Sequence, residues 1–264
     1  MVEVAHANDI KVIFDVIVNH AGDYLADWSD HYDPPDYRPA PPFDNADWYH
    51  HYGNIWNWKN QLQLENWNIF GLDDLAQEIP AVGEELKQVY LYWINQTGCD
   101  GFRLDTGKHV PKWYWGEFTA ATGIPSFGEV WHGSPSYIAD YQNYMWSVVD
   151  FPIYYTIEGV FAYGGSCDQL HNLFNEDSVY PDPYKLVTFI DSHDVARFLN
   201  RAGNDYQKLK LALAFLMTAR GIPCVYYGTE QGFNGGNDPN NREVLFNSFD
   251  TAHELYQYIR SSRT

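Results

Sequence analysis

A chain of 264 residues with 45% apolar content is long enough to bury one large core and does not demand two domains. Its formal net charge of −19 argues against nucleic acid and against anionic membrane faces, both of which select basic surfaces, and leaves a neutral ligand as the natural expectation. Ten Trp, 21 Tyr and 15 Phe offer flat rings suited to the apolar faces of sugars, although large core residues account for most of them.

Residues 2–10 carry Val2, Val4, Ala5 and Ala7 at a helix-like period, and 11–18 then runs Val-Ile-Phe-Asp-Val-Ile-Val from Val12. An apolar run without alternation predicts a strand buried on both faces, as in parallel sheets. From Gly22 to about Asn68 no period holds, and Pro34-Pro35, Pro39 and Pro41-Pro42 interrupt the chain. An irregular insertion of that length is functional or a small subdomain. Val82, Leu86, Val89, Tyr90, Trp93 and Ile94 then mark one face of a helix stopped by Gly98. Beyond it the pattern alternates: a strand at 101–105, a helix near 111–121, a strand at 125–129, a segment at 134–144 and a strand at 147–151. A helix near 166–175, a strand at 186–191, a helix at 204–220 closed by Gly221-Ile222-Pro223, a strand at 223–228 and a helix at 250–261 complete it. Six strands alternating with helices predict an α/β parallel sheet with crossovers of one hand.

Cys99, Cys167 and Cys224 are an odd set without metal-ligand spacing, and Cys99 and Cys224 lie beside or inside apolar strands. Buried free thiols are expected in preference to a disulfide. No apolar run approaches the roughly 18 residues of a membrane span, and the N-terminus does not read as a signal peptide. The chain as given is expected to stay soluble.

Three predicted strands end in carboxylates: Asp105 closes 101–105, Glu129 closes 125–129 and Asp194 follows Val187 to His193. A parallel (β/α) barrel gathers its strand ends on one face, so acids scattered through the sequence converge there, as glycoside hydrolysis requires. Taken singly, each acid reads equally well as a helix cap.

Four blocks in order resemble the α-amylase family of glycoside hydrolases across nearly the whole chain: Asp15-Val16-Ile17-Val18-Asn19-His20, Gly101 to His109, Gly128-Glu129-Val130-Trp131, and Phe189-Ile190-Asp191-Ser192-His193-Asp194. A weaker fifth block is Gly71-Leu72-Asp73-Asp74-Leu75. The resemblance implies an incomplete (β/α)8 TIM barrel, strands three to eight, built by residues 1–20 and 75–264. Residues 21–74 are the irregular inserted domain B, and the C-terminal β domain is absent. It assigns Asp105 as nucleophile, Glu129 as general acid and base, and Asp194 as the acid that binds sugar hydroxyls and favours the distorted ring. A retaining pair of this kind stands about 5–5.5 Å apart. Arg103, two residues before Asp105 on the same strand face, keeps that carboxylate ionised. His20 and His193 donate to the same sugar.

Lys108 and His109 resemble acceptor-side sugar contacts, with a solvated Lys and a structural His as the alternative. Phe70 falls where cyclodextrin-forming transferases keep an aromatic, and Trp131 near another of their acceptor side. Asp238 and Arg242 match a donor-side pair four residues apart. The family places a structural calcium between domain B and the barrel. Carried over, its ligands are the Asn19 side chain, the Asp74 carboxylate and the His109 backbone carbonyl, with Asp73 competing for the place of Asp74 and an acidic turn as the bland alternative.

Ser192 stands where the family usually has Asn, which implies looser support of Asp194. Against the family frame the chain begins in the helix before the third strand and ends after the helix that follows the eighth, without the Tyr that stacks under the reacting sugar. Open edges at 11–18 and 223–228 lead us to expect self-association, a homodimer covering them, against the alternative of a gene fragment. The resemblance implies an α-glucan polysaccharide as partner, no nucleic acid or membrane, and an extracellular place. Endo-hydrolysis of α-1,4-glucosidic bonds by retention leads. 4-α-Glucanotransfer, including cyclodextrin formation, and a catalytically dead glucan-binding domain are the alternatives.

Overall fold

In the computed structural model, which describes residues 1–23, 25 and 39–262, the chain falls into two compact units, each containing parallel strands. The first unit comprises 1–131 and 143–146, and the second 132–142 and 147–264. Part of the predicted insertion, including Pro34-Pro35, lies outside the described residues.

In the first unit, helix α1 (Val2–His6) leads into β1 (Ile13–Val16), which pairs in parallel with β2 (Gly101–Leu104); β2 pairs in parallel with β3 (Ser126–Gly128). Ile13 stands opposite Gly101 and Val16 opposite Leu104, while Leu104 stands opposite Gly128. The expectation that the 11–18 run is buried on both faces fails at Ile13 and Ile17, 51% and 43% exposed. Among the described residues β1 has a strand partner on one side only.

Residues 39–75 contribute the short helix α2 (Gln61–Leu64), capped by the Asn60 side chain, and a small apolar cluster of Ile55, Leu64 and Ile69. Isolated bridges join His20 to Asp74 and Tyr49 to Leu75. Helix α3 (Pro80–Thr97) opens on a proline, where a missing N–H costs nothing, and stops at Gly98, whose φ of 65° a glycine adopts without strain. Its apolar face is narrower than its sequence suggests. Val82 and Leu86 are buried, whereas Trp93 is 47% exposed. Helix α4 (Lys112–Thr122) buries Tyr114, Trp115 and Phe118 completely, and Phe118 packs on Phe102 of β2. Rings of this size anchor a core, since truncating one to Ala typically costs about 3–5 kcal/mol.

The second unit contains α5 (Pro135–Tyr141), β4 (Ser147–Val148), α6 (Phe151–Ile157), α7 (Asp168–Asn175), β5 (Val187–Thr188), α8 (Phe198–Arg201), α9 (Tyr206–Thr218), β6 (Ile222–Pro223) and α10 (Glu254–Ser261). Val149, just past β4, bridges in parallel to Val187, and β5 pairs in parallel with β6. Helix α6, continued by a π turn over Glu158–Ala162, departs from the predicted strand at 147–151. Its signal was present: the Asp150 side chain accepts from the Ile153 amide as an N-cap, and Pro152 occupies the first turn. Ile153, Ile157, Leu213, Leu216 and Leu255 share one buried cluster.

All three cysteines are free, and Cys99 is buried. Cys224, expected to be buried, is exposed, as is Cys167. The reason for Cys224 is that it follows β6, both of whose residues are exposed. Among the described residues no helix is long and apolar enough to cross a membrane.

Candidate active site

Register brings the first two acids together. Because Leu104 and Gly128 stand opposite each other, the residues that follow, Asp105 and Glu129, leave adjacent strands at the same level. The Asp105 amide donates to the Val16 carbonyl and the Glu129 amide to the Leu104 carbonyl, so both backbones remain tied to the sheet as the strands end. Arg103 and Asp105, two residues apart, point to one face. Arg103 Nη1 donates to Asp105 Oδ1 at 2.5 Å and to Asp15 Oδ1 at 2.9 Å, while its Nη2 stands 2.8 Å from Glu129 Oε1. One guanidinium therefore holds both carboxylates. The acids are thus neighbours, each within hydrogen-bonding reach of the same guanidinium. Burial acts to lower the Arg103 pKa, but Glu129, Asp15 and Asp105 together outweigh it and raise it, so the guanidinium stays charged.

Two backbone features complete this arrangement. Thr106 adopts a φ of 47°, rare for a residue with a β-branched side chain, and its amide donates to Glu129 Oε2 at 3.1 Å. Gly107 passes so close to the other strand that a Cβ would meet the Glu129 carbonyl oxygen at 3.0 Å and its amide nitrogen at 3.2 Å. Glycine at 107 is what allows the loop after Asp105 to lie against the backbone of Glu129.

Around this pair, burial lowers the pKa of His20 against the opposing charge of Asp105, so its imidazole is neutral at pH 7. Burial likewise lowers the pKa of Lys108, whose Nζ donates to the Trp131 carbonyl at 3.1 Å and lies 5.9 Å from the Trp58 ring. Trp58 in turn packs on Phe70, with centroids 5.3 Å apart. Phe70 is 81% exposed at the tip of a two-residue turn that bridges Ile69 to Leu72, with φ of 55° at Phe70 and 85° at Gly71. Positive φ at both central residues is the type I′ pattern, which suits Gly71 and strains Phe70.

His109 is expected as an acceptor-side sugar contact, with a structural His as the alternative. Its ring is buried, and Nδ1 bonds the Leu64 carbonyl at 3.0 Å. Burial, helped by the Lys108 charge, takes its pKa down to about 4. A carbonyl oxygen only accepts, so the neutral ring carries its hydrogen on Nδ1.

Asn19 and Asp74 are completely buried, and among the described residues Asn19 Oδ1 and Asp74 Oδ1 have no hydrogen-bond partner. Asp74 Oδ2 accepts from His50 Nδ1 at 2.6 Å, and His50 Nε2 reaches Glu78 at 2.8 Å. Burial raises the Asp74 pKa to about 7, His50 acting against it. Asp73 is committed elsewhere, accepting the Leu25 amide at 2.8 Å, which favours Asp74 over Asp73 as a ligand. Among the described residues no group of three or more His, Cys, Asp or Glu side chains is placed to hold a metal. A hard cation also takes amide and carbonyl oxygens, and two buried orphaned oxygens fit one.

In the second unit the remaining predicted residues also meet. His193 Nε2 lies 3.0 Å from Asp194 Oδ2, Arg242 Nη2 lies 3.7 Å from Asp194 Oδ1, and Arg242 Nε pairs with Asp238 Oδ1 at 2.5 Å. At Ser192, where looser support of Asp194 is expected, the Asp194 amide donates to the Ser192 hydroxyl oxygen at 3.2 Å. Nearby Asp191 is buried, accepting from the Phe198 amide and the Thr229 hydroxyl. Burial raises its pKa to about 6. A raised folded-state value means that its stabilisation is complete below its ordinary value near 3.8 and is lost as pH rises through 6. Asp191→Asn should therefore flatten the fall in unfolding free energy between pH 4 and 7, removing roughly 3 kcal/mol of it. Denaturant melts at both pH values measure this, and parallel pH profiles for the two proteins would refute it.

With this geometry in view, comparison with known proteins decides the family: the model of the α-amylase catalytic domain matches residues 1–260. The chain belongs to the α-amylase catalytic-domain family. A β/α-amylase of Paenibacillus polymyxa is 45% identical over 98% of this chain and 22% of its own length. A solved α-amylase of Anoxybacillus superposes with a TM-score of 0.88 at 39% identity, over 99% of this chain and 57% of that one. A cyclomaltodextrin glucanotransferase of Bacillus sp. (strain 38-2) is 32% identical over 98% of this chain and 38% of its own length. The chain thus spans well under two thirds of each of these relatives.

Within the α-amylase family reading, sequence alone singled out Asp105, Glu129 and Arg103 but missed Asp15, Gly107 and Trp58. An acid inside the apolar run of β1 was the available signal for Asp15. Nothing local marks the other two, because each acts through contacts made by the fold.

Proposed function

We propose that this chain carries the machinery for retaining endo-hydrolysis of α-1,4-glucosidic bonds in starch-like glucans. The observation that carries the reading is the pair of acids on adjacent parallel strands gripped by the single guanidinium of Arg103. In this reading Asp105 attacks the anomeric carbon while Glu129 protonates the leaving oxygen, and Glu129 then takes a proton from water as the glycosyl ester is hydrolysed. Asp194, with His193 and Arg242 about it, binds hydroxyls of the distorted sugar, and Asp238 and Arg242 hold donor-side units. The six strands correspond to positions three to eight of the family barrel, with 21–74 as domain B. Asn19, Asp74 and the His109 carbonyl would hold a calcium ion that braces this insertion and takes no part in the chemistry.

A second reading, glucanotransfer, is favoured by one specific observation: Phe70 stands exposed and braced by Trp58, with Lys108 beside that ring. Such a platform would stack an incoming sugar and let its hydroxyl, instead of water, take the glycosyl group. Soluble starch separates the readings. Linear oligosaccharides with steady release of reducing ends are expected. Cyclic or disproportionated products would shift the assignment to transfer, and release no faster than in a buffer blank would leave a domain that only binds glucan.

A further inference from the structure

We infer that Asn241 is a positioning residue for Asp194, an inference that rests on the glycosidase reading above. Asn241 is completely buried, and its Nδ2 faces three backbone carbonyls: Ser192 at 3.3 Å, His193 at 2.8 Å and Val195 at 2.8 Å. An amide carries two hydrogens, so three acceptors saturate it. The three carbonyls bracket Asp194 on both sides in the chain, and the turn that presents the carboxylate is thereby fastened at both ends.

The fastening is itself anchored. Asn241 lies between Asp238 and Glu243, and Glu243 Oε2 accepts from Arg197 Nε at 3.0 Å while its Oε1 accepts the Gly235 amide at 2.5 Å. Arg197 is completely buried, stacked 4.0 Å over the Tyr226 ring, and its own amide donates to the Gly235 carbonyl. The loop carrying Asn241 is therefore held to the core by an ion pair and an aromatic face. Immediately after Asn241, Arg242 turns towards the Asp194 carboxylate. One loop thus fixes the backbone of Asp194 and faces its charge.

Asn241→Asp keeps the shape and replaces the donor with a carboxylate aimed at three carbonyls; Asn241→Ser, smaller but retaining one donor, is the second variant should the first unfold. Two measurements are made on each: hydrogen exchange of peptides covering 189–198, with 101–110 as the internal control, and kcat and KM on a soluble maltooligosaccharide. Exchange at 192–196 should quicken at least tenfold with the control unchanged, and kcat should fall roughly ten- to a hundredfold at nearly constant KM, as a misplaced reacting group demands. Serine should be affected less than aspartate. Unchanged exchange at 192–196, or faster exchange with wild-type kcat, would overturn the inference. An inactive parent chain would instead sink the glycosidase reading, and the exchange comparison would still decide whether Asn241 holds the turn.

Discussion

Glu129→Gln should lower kcat on soluble starch at least a hundredfold, the minimum expected when a positioned general acid is removed. Asp105→Asn should lower it at least as far, by a different route. The difference is measurable with a glycosyl fluoride. Its leaving group departs without protonation, so the first step survives in Glu129→Gln, and a glycosyl-enzyme accumulates because no base activates water. Asp105→Asn cannot form that ester with any leaving group. Both replacements are nearly isosteric, and the glutamine oxygen can still accept from Arg103, so lost activity would not reflect a lost fold. Wild-type rates in either variant would remove these acids from the mechanism.

Chelation should have the second largest effect. If calcium is the ion that satisfies Asn19 Oδ1 and Asp74 Oδ1, a hundredfold excess over its dissociation constant stabilises the fold by about 2.7 kcal/mol. For a chain of this size that amounts to a fall in Tm of roughly 5–10 °C in EDTA, reversed by added calcium. Asp74→Asn retains an acceptor oxygen but loses the charge, and should abolish most of the response. Identical melting in EDTA and calcium, for both parent and variant, would show that no cation braces this part of the chain.

Much of the scaffold was legible because strands alternate with helices and the 12–18 stretch is rich in β-branched residues, whereas Asp105 and Glu129 close short strands, Gly-Phe-Arg-Leu and Ser-Phe-Gly, that hold no β-branched residue. Six strands were read and six are present among the described residues, the later ones shorter than their apolar runs. The error at Phe151 shows the limit of that signal. Val148 and Val149 lead into an equally apolar helix, and only the Asp150 cap and Pro152 mark the change. Trp93 was misread for a related reason, since a periodic pattern says which residues share a face but not how far a neighbour covers it. The sharing of Arg103 between two acids was out of reach, because it depends on the register of β2 against β3, which no stretch of either strand encodes alone. Asn241 was hidden in the same way, its three partners lying 46 to 49 residues earlier in the chain.

The strained tip of the 69–72 turn bears on how this protein would evolve in the laboratory. Asn or Gly at 70 would relieve a left-handed backbone that costs phenylalanine roughly 1–2 kcal/mol. A screen rewarding heat resistance alone would therefore tend to discard the ring, and with it the platform that Trp58 shares. Keeping the aromatic through such a campaign requires selecting on product profile at every round.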